Sequence, residues 1–230
     1  MSNLSGVYAT FSKRWCPNHS VWLYSDPHFD DKDFTERPSA EEQIKNINSK
    51  SGCKDTIIFL GDIGNLEYIR KIRARKKILI MGNHDTGKTK FLREKKIFQY
   101  DYHDYSKNQI ITELKLNYPN HNIAVYEEYC VNHAPYVYYT AVVDNLLFDE
   151  VYEGPVVIGE KLILSHEPIP NLSWAMNIHG HVHGNSSYSD LYHYNICDKF
   201  YPTNLNQWLK EGHLSIIDSL HRQTIDKASE

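Results

Sequence analysis

The sequence predicts an α/β fold with a largely parallel central sheet, and three observations support this prediction. Apolar runs of four or five residues recur along the chain, the first three at residues 21–24, 56–60 and 77–81. Segments with helical signals lie between these runs, and the connections are short. Each run ends in a short polar block. Alternating strands and helices of this kind form a buried sheet whose strand ends carry the binding site.

The first strand is predicted at residues 21–24, and the first helix is predicted to begin after Ser39. Ser39 and Glu42 have capping-box spacing, in which the two side chains satisfy backbone N–H groups at the start of a helix. Ile44 and Ile47 lie three residues apart, which places both on one face of that helix, towards the sheet.

A second helix is predicted before the strand at residues 77–81. Leu66, Ile69 and Ile72 recur at helical spacing, so the helix would continue into the basic residues 70–77. These charges then form its solvated face. A patch that attracts nucleic acid or phosphate is the alternative interpretation.

Residues 86–145 differ from the flanking sequence and are predicted to be an insertion or cap within a single domain that spans residues 1–230. The segment is rich in tyrosine and lysine and carries no strand-end polar block of the kind described below. Ser106 and Gln109 have capping-box spacing ahead of a predicted helix. Residues 129–143 are aromatic and β-branched, which predicts strands or an aromatic packing surface.

The sheet pattern resumes after residue 155. Strands are predicted at residues 161–164 and 174–178, and at 192–197, where alternation indicates a partly exposed strand. A last helix is predicted over residues 204–211, ended by Gly212.

Composition and charge argue against several function classes. With 230 residues, of which 41% are hydrophobic and 23% charged, the chain has the make-up of an ordinary globular protein. No apolar stretch approaches the roughly 20 residues that span a bilayer, and no secretory signal is recognisable. The net charge of −4 gives no general attraction to nucleic acid or anionic membranes. Four scattered cysteines without a C-x-x-C pair favour reduced thiols, so we expect a cytoplasmic protein.

The five polar blocks that close the apolar runs are the most informative part of the chain. They supply Asp, His and Asn side chains, which bind hard and borderline metal ions. Because the carboxyl ends of parallel strands meet at one edge of a sheet, we expect one pocket to collect these side chains. The blocks are Ser25-Asp26-Pro27-His28, Gly61-Asp62, Gly82-Asn83-His84-Asp85, Ser165-His166 and Gly180-His181-Val182-His183.

The spacing within the blocks indicates how ions would be held. Asp26 and His28 are two residues apart, so an extended backbone projects both side chains to one side. His181 and His183 have the same relation. Asp62 offers two carboxylate oxygens and can bridge a metal pair. Two divalent ions outweigh two carboxylates and a hydroxide, which leaves a net positive pocket suited to a phosphate group.

In chain order the blocks read D-x-H, G-D, G-N-H-D, H and G-H-x-H, and they resemble the calcineurin-like metallophosphoesterase superfamily, in particular its small bacterial and phage members. The resemblance covers about residues 21–85 and 155–200. It implies a calcineurin-like four-layer α/β/β/α sandwich with the tyrosine-rich insertion in the middle of the chain. It also implies that Asp26, His28 and His183 hold one metal, that Asp62 bridges, and that Asn83, His166 and His181 hold the second.

The resemblance implies a reaction as well. A bridging hydroxide would attack phosphorus directly, and His84 would contact the phosphoryl oxygen and protonate the leaving group. The cofactors would be two divalent or transition metal ions, for which manganese, iron, zinc and nickel all suit these ligands. The substrate would be a phosphate ester, with a phosphodiester such as a nucleotide favoured over a monoester. A catalytically silent binding or scaffold protein on the same fold is the alternative function.

One block departs from a pattern common in the superfamily. Many members continue G-D as G-D-x-x-D-R, whereas this chain has Asn65 and Leu66 at the last two positions. The missing arginine makes a protein-phosphatase activity less expected. Asn65 is predicted to cap the second helix or to contact His84 or phosphate.

Three further assignments remain open at this point. Asp85 is a candidate orienting partner of His84. Arg37 is interpreted as a surface ion-pair residue, with a phosphate contact as the alternative. His179 continues the alternation of His181 and His183 and would replace one of them if the strand register differed.

Overall fold

The computed structural model describes residues 19–34, 37–130, 136–158, 161–183, 190–197, 200–213, 215–220 and 222. The chain forms two compact units. The first contains the chain up to Leu92 and from Phe148 onwards, and the second is Arg93–Leu147. Within the described ranges, no helix has the length and apolar character that crossing a membrane requires. The fold is mixed α/β with several sheets, which confirms the predicted fold class at this coarser level.

Twelve strands are present in the described residues. In chain order they are β1 (Val21–Tyr24), β2 (Thr56–Phe59), β3 (Lys76–Ile80), β4 (Lys95–Asp101), β5 (Asn122–Cys130), β6 (Tyr136–Asp144), β7 (Glu150–Tyr152), β8 (Val156–Ile158), β9 (Leu162–Leu164), β10 (Met176–His179), β11 (His193–Asn195) and β12 (Thr203–Asn204).

The first unit contains two mixed sheets. The five-stranded sheet has the order β12-β1-β2-β3-β7, in which only β12 runs antiparallel to its neighbour. The four-stranded sheet has the order β11-β10-β9-β8, in which β8 pairs antiparallel with β9 and the others pair in parallel. The sequence predicted that the sheet resumes after residue 155. In the structure it resumes earlier, because β7 pairs with β3 at residues 150–152.

One hydrophobic cluster contains side chains from both sheets of the first unit. Leu23, Ile58 and Ile78 come from the five-stranded sheet, and Leu164 and Ile178 come from the four-stranded sheet. The central strands are apolar because β2 is buried at every position and β3 at all but the first. The four-layer order remains a prediction.

The first helix, α1 (Ala40–Lys50), begins as the sequence predicted. The Ser39 side chain accepts a hydrogen bond from the Glu42 backbone N–H, and Ile44 and Ile47 are buried. The helix therefore packs its apolar face inwards.

The second helix, α2 (Glu67–Arg70), is shorter than the prediction, which was wrong about its extent. Asn48 of α1 holds the following segment out of the helix: its side chain donates to the Lys71 carbonyl and accepts from the Arg73 backbone N–H. The Lys77 ammonium donates to the Ile69 carbonyl at 2.7 Å. Tertiary contacts thus overrode the apolar periodicity, and the basic stretch does not form a continuous helical face.

The second unit consists of the antiparallel sheet β4-β6-β5 and the helix α3 (Lys107–Asn117). A full capping box of Ser106 and Gln109 opens α3, and Ile110 and Leu114 pack against Tyr139. The predicted capping box at Ser106 and the helix that follows it are confirmed. Residues 129–143 contribute to β5 and β6, while 131–135 lie outside the described residues.

The last predicted helix is present only in part. The helix α4 (Leu205–Trp208) passes into a wider turn, Leu209–His213, where Gly212 takes a φ of +105°. Leu205 and Trp208 are buried. Gly212 marks the departure from helical geometry because glycine adopts a positive φ without steric cost.

Candidate metal centre

The side chains of the five polar blocks lie at the carboxyl ends of neighbouring strands in the first unit. Asp26 follows β1, Asp62 follows β2, Asn83 follows β3, His166 follows β9 and His181 follows β10. Backbone hydrogen bonds join the first two loops, from Asp26 N to Gly61 O at 3.2 Å and from His28 N to Asp62 O at 3.0 Å. The carboxyl ends of the strands therefore position these loops.

Five of the predicted ligands adopt a left-handed backbone conformation. Asp26, His28, Asp62, His181 and His183 have φ between 43° and 66°. Eight of the described non-glycine residues have positive φ, so these five form the majority. Such a conformation costs on the order of 1–3 kcal/mol per residue and persists where the surroundings enforce it, which is characteristic of functional sites.

Gly82 and Gly180 allow the loops to approach each other closely. A Cβ atom at Gly82 would collide with the Asp62 carboxylate, and one at Gly180 would collide with the Ser25 hydroxyl and the Asp26 carboxylate. Both carboxylates are almost fully buried. A side chain at either glycine would displace a candidate ligand.

One group of donor atoms is formed by Asp62, Asn83, His166 and His181. The Nε2 atom of His166 lies 3.2 Å from Asp62 Oδ2 and 2.8 Å from Asn83 Oδ1. The Nδ1 atom of His181 lies 3.1 Å from both Asn83 Oδ1 and His166 Nε2. Two imidazoles, an amide oxygen and a carboxylate converge here, and this donor set suits a borderline transition metal.

A second group is formed by Asp26, His28 and Asp62. The Nε2 atom of His28 lies 3.7 Å from Asp62 Oδ2 and is buried without a hydrogen-bond partner. An unsatisfied buried nitrogen is costly unless a ligand satisfies it. His183 lies beside this group, with its Nε2 atom 3.9 Å from Asp26 Oδ1. The donor types and the orphaned nitrogen therefore fit a second metal ion.

A third group joins Asp26 and His183 to Cys197, which the sequence analysis did not identify. Cys197 follows β11 as the other candidates follow their strands. The same strand-end reasoning, extended from Asp, His and Asn to Cys, would have found it. Burial raises the pKa of the Cys197 thiol, and the nearby Asp26 carboxylate raises it further.

Outer contacts orient several of these side chains. The Nδ1 atom of His166 lies 2.8 Å from the Leu60 carbonyl, which leaves Nε2 directed at the donor group. The Nδ1 atom of His28 lies 3.4 Å from Asp31 Oδ2. Phe34 stacks on the His28 ring at a centroid distance of 3.7 Å. Partners of this kind fix the ring orientation of metal-binding histidines.

The electrostatics of the site favour a bound cation. Burial alone would lower the pKa of His166, but the Asp62 hydrogen bond and the charges of Asp26 and Asp62 raise it to about 9. A proton on His166 thus offsets one of the two negative charges in the metal-free protein, and one remains for a cation to neutralise. Burial lowers the pKa values of His28 and His183, and the Arg37 charge lowers both further. These two rings are held neutral, the form that binds metals.

The remaining predicted residues have defined positions. His84 is exposed, its backbone N–H donates to Asp62 Oδ1 at 3.0 Å, and its ring lies 5.6 Å from that of His28. The Asn65 side chain donates to Asp30 Oδ2 at 3.0 Å and accepts from the Glu67 backbone N–H at 3.1 Å, at the start of α2.

Asp85 has a role that the sequence analysis did not foresee. Its carboxylate accepts from the backbone N–H groups of Asp62, Ile63 and Gly82 at 2.9–3.1 Å, rather than orienting His84. Burial raises its pKa. Asp85 therefore ties the loop after β3 to the loop after β2.

Arg37 and His179 have defined partners among the described residues. The Nη2 atom of Arg37 donates to Cys197 Sγ at 3.0 Å, and its phosphate contact remains a prediction. His179 lies fully buried in β10, with its ring edge-on to His193, and belongs to none of the donor groups. The strand register therefore directs His181 and His183, not His179, towards the donor atoms.

A cavity of about 410 Å³ borders the donor group that contains Asn83 and His166. Its other walls are formed mainly by apolar residues such as Ile80, Pro155 and Pro168. The cavity gives an organic group room beside the candidate metal centre.

Comparison with known proteins identifies the family. A model of the calcineurin-like phosphoesterases matches residues 19–219. The chain belongs to this family. Calcineurin-like phosphoesterases generally hydrolyse phosphate esters and typically bind divalent metals. Among the curated proteins none matches the sequence. A solved structure of a protein of unknown function, AQ665 from Aquifex aeolicus, is similar at 19% identity with a TM-score of 0.48, covering 84% of this chain and 99% of that chain.

Proposed function

We propose that this calcineurin-like phosphoesterase is an active dinuclear metal-dependent hydrolase of phosphate esters. One observation carries the proposal: Asp62 belongs to two donor groups at once. Its Oδ2 atom lies 3.2 Å from His166 Nε2 on one side and 3.7 Å from His28 Nε2 on the other. A carboxylate shared in this way is what a bridging ligand between two ions requires.

The ligands divide between two positions. Asp62 is the bridging residue; Asp26, His28 and His183 hold the first ion, and Asn83, His166 and His181 hold the second. Bound at these positions, divalent ions supply a nucleophile from water at neutral pH and neutralise charge on the phosphoryl group.

The chain contributes a proton donor of its own. His84 is exposed beside the donor groups. The hydrogen bond from its backbone N–H to Asp62 Oδ1 fixes the position of its main chain. In the proposed reaction its imidazole contacts a phosphoryl oxygen and protonates the leaving group, as a general acid does. A phosphodiester such as a nucleotide is the favoured substrate and a monoester the second. The cavity beside Asn83 and His166 supports an organic leaving group.

Three further parts of the proposal come from the sequence. The composition of the chain supports residues 86–145 as an insertion or cap in a single domain and a cytoplasmic location, and the family resemblance implies the four-layer sandwich. Manganese, iron, zinc and nickel remain the candidate ions. The substrate is proposed to be a small molecule rather than nucleic acid or membrane.

A matrix of metals against substrates tests the proposal. The purified protein is loaded with each candidate metal, its metal content is measured, and it is assayed on aryl phosphodiesters, aryl monoesters and cyclic nucleotides. We expect metal-dependent hydrolysis with up to two ions per chain. His84→Ala should lower kcat by about 10²–10⁴-fold with metal content unchanged, because it removes only the general acid.

Two variants complete the design. Asp62→Asn should abolish turnover and reduce metal content, since the bridging carboxylate is lost. His103→Ala, which changes an exposed histidine of the second unit, should leave activity unchanged. If the protein carries two ions per chain and hydrolyses nothing on the panel, the silent binding or scaffold protein is the correct alternative.

A further inference from the structure

Cys197 follows the carboxyl end of β11, next to the carboxyl end of β10, which His181 and His183 follow. The strand β11 pairs in parallel with β10, with Asn195 opposite His179. The residues that follow these two strands therefore come together, and they include His183 and Cys197. Cys197 is 2% exposed, and its Sγ atom lies within 4.8 Å of donor atoms of both Asp26 and His183.

Hydrogen bonds from one residue fix the backbone on both sides of this group. The Asn195 side chain accepts from the Cys197 backbone N–H at 2.9 Å and donates to the His183 carbonyl at 2.8 Å. The relative position of the sulfur and the imidazole is thus set by the fold. Rigid support of this kind is what a ligand pair requires.

A positive charge stands next to the sulfur. Arg37 Nη2 donates to Cys197 Sγ at 3.0 Å, and its charge partly offsets the effect of burial and of Asp26, which raise the pKa of the thiol. The thiolate, not the thiol, is the metal-binding form of cysteine.

The adjoining donor group supplies a second, independent observation. His28 is 5% exposed, and its Nε2 atom has no hydrogen-bond partner. His28 shares Asp26 with Cys197, because Asp26 belongs to both donor groups. A His28 nitrogen and Cys197 Sγ therefore each lie within 4.8 Å of an Asp26 carboxylate oxygen.

We propose that Cys197 Sγ is a ligand of the ion held by Asp26, His28 and His183. The inference rests on the proposed metal centre and adds a sulfur donor to one half of it. On coordination the metal replaces the thiol proton, which is released to solvent. A thiolate favours zinc, iron or cobalt over manganese, so the two positions differ in metal preference.

Cobalt spectroscopy tests the sulfur ligand without recourse to activity. Cobalt(II) bound in the wild-type protein should give visible ligand-field bands and, in addition, near-ultraviolet sulfur-to-cobalt charge-transfer absorption. Cys197→Ser and Cys197→Ala should lose the charge-transfer absorption and keep visible bands from the remaining ligands. Cys53→Ser, which changes an exposed cysteine, should retain both.

The outcomes separate this inference from the proposed function. Stoichiometric cobalt with visible bands but no charge-transfer absorption in the wild-type protein would overturn the sulfur ligand and leave the metal centre intact. A protein that takes up no cobalt, zinc or manganese would overturn both. The wild-type spectrum decides the matter even if the Cys197 variants do not fold.

A competition between metals gives a second readout. The wild-type protein is equilibrated with equal zinc and manganese, and bound metal is measured by elemental analysis. Cys197→Ser should lower the preference for zinc by about tenfold or more, with thermal unfolding as the check on folding. An unchanged ratio of bound zinc to manganese would contradict the proposal.

Discussion

Replacing Gly180 with alanine adds one methyl group at the most crowded point of the site. That methyl would overlap the Ser25 hydroxyl and the Asp26 carboxylate, and both residues are at most 1% exposed. Gly180 is absent from the glycines with positive φ, so alanine meets a steric obstacle and not a conformational one. Relieving such overpacking costs about 1–3 kcal/mol, and alanine recovers about 0.4–1 kcal/mol through the unfolded state. We expect a net loss of about 1–2 kcal/mol.

Two measurements check this expectation. The melting temperature should fall by roughly 2–8 °C, because each kcal/mol lowers it by about 2–4 °C for a chain of this size. Metal titration should show weaker binding by about tenfold or more, because Asp26 must move away from His28 and His183. Gly154→Ala is the matched control, since no atom lies within 4 Å of the added methyl. If Gly180→Ala binds both metal ions as the wild-type protein does, Asp26 is not a ligand held at this point.

Three further predictions concern stability. Asp85→Asn should lower the free energy of unfolding by about 1–3 kcal/mol, measured by urea denaturation. The two carboxylate oxygens of Asp85 accept hydrogen bonds from three backbone N–H groups, whereas asparagine offers a single oxygen. In the metal-free protein, His166 has a raised pKa of about 9, so its stabilising contribution is full below about pH 6.5 and is lost as pH rises through 9. Melting temperatures in chelator should show this fall, and His166→Gln should reduce it. Ser106→Ala should cost the second unit about 1 kcal/mol, visible as faster hydrogen exchange in α3.

The elements of the fold that could be predicted are those whose local signals agree with their tertiary environment. β1, β2 and β3 are short and apolar, and they are buried as such strands must be. The helices that begin after Ser39 and Ser106 could be predicted because each N-cap depends only on residues that follow it closely in sequence. The extent of α2 depends instead on Asn48, a residue of another helix, so no local pattern could set its end.

The candidate site could be predicted as far as it follows strand ends. Asp26, His28, Asp62, Asn83, His166, His181 and His183 are gathered in the structure, although their roles remain proposals. The orientation of Asp85 could not be foreseen, because two of its three partners, the backbone N–H groups of Asp62 and Ile63, belong to a distant loop. Cys197 was missed because only Asp, His and Asn were considered as strand-end ligands. The contact of Arg37 with Cys197 could not be foreseen because the two residues are 160 positions apart in sequence.

The left-handed conformation of five candidate ligands has a consequence for how the protein takes up metal. Residues with a Cβ relax from such a conformation when their loops are free to move, so the loops here are held by the surrounding sheets. The donor atoms of each group already lie within 4.8 Å of one another in the protein alone. Little conformational entropy is then left to lose on binding, and rigid sites of this kind bind more tightly than flexible ones. The fold thus carries the backbone strain of these five residues before any ion binds, and the proposed metal site is preorganised.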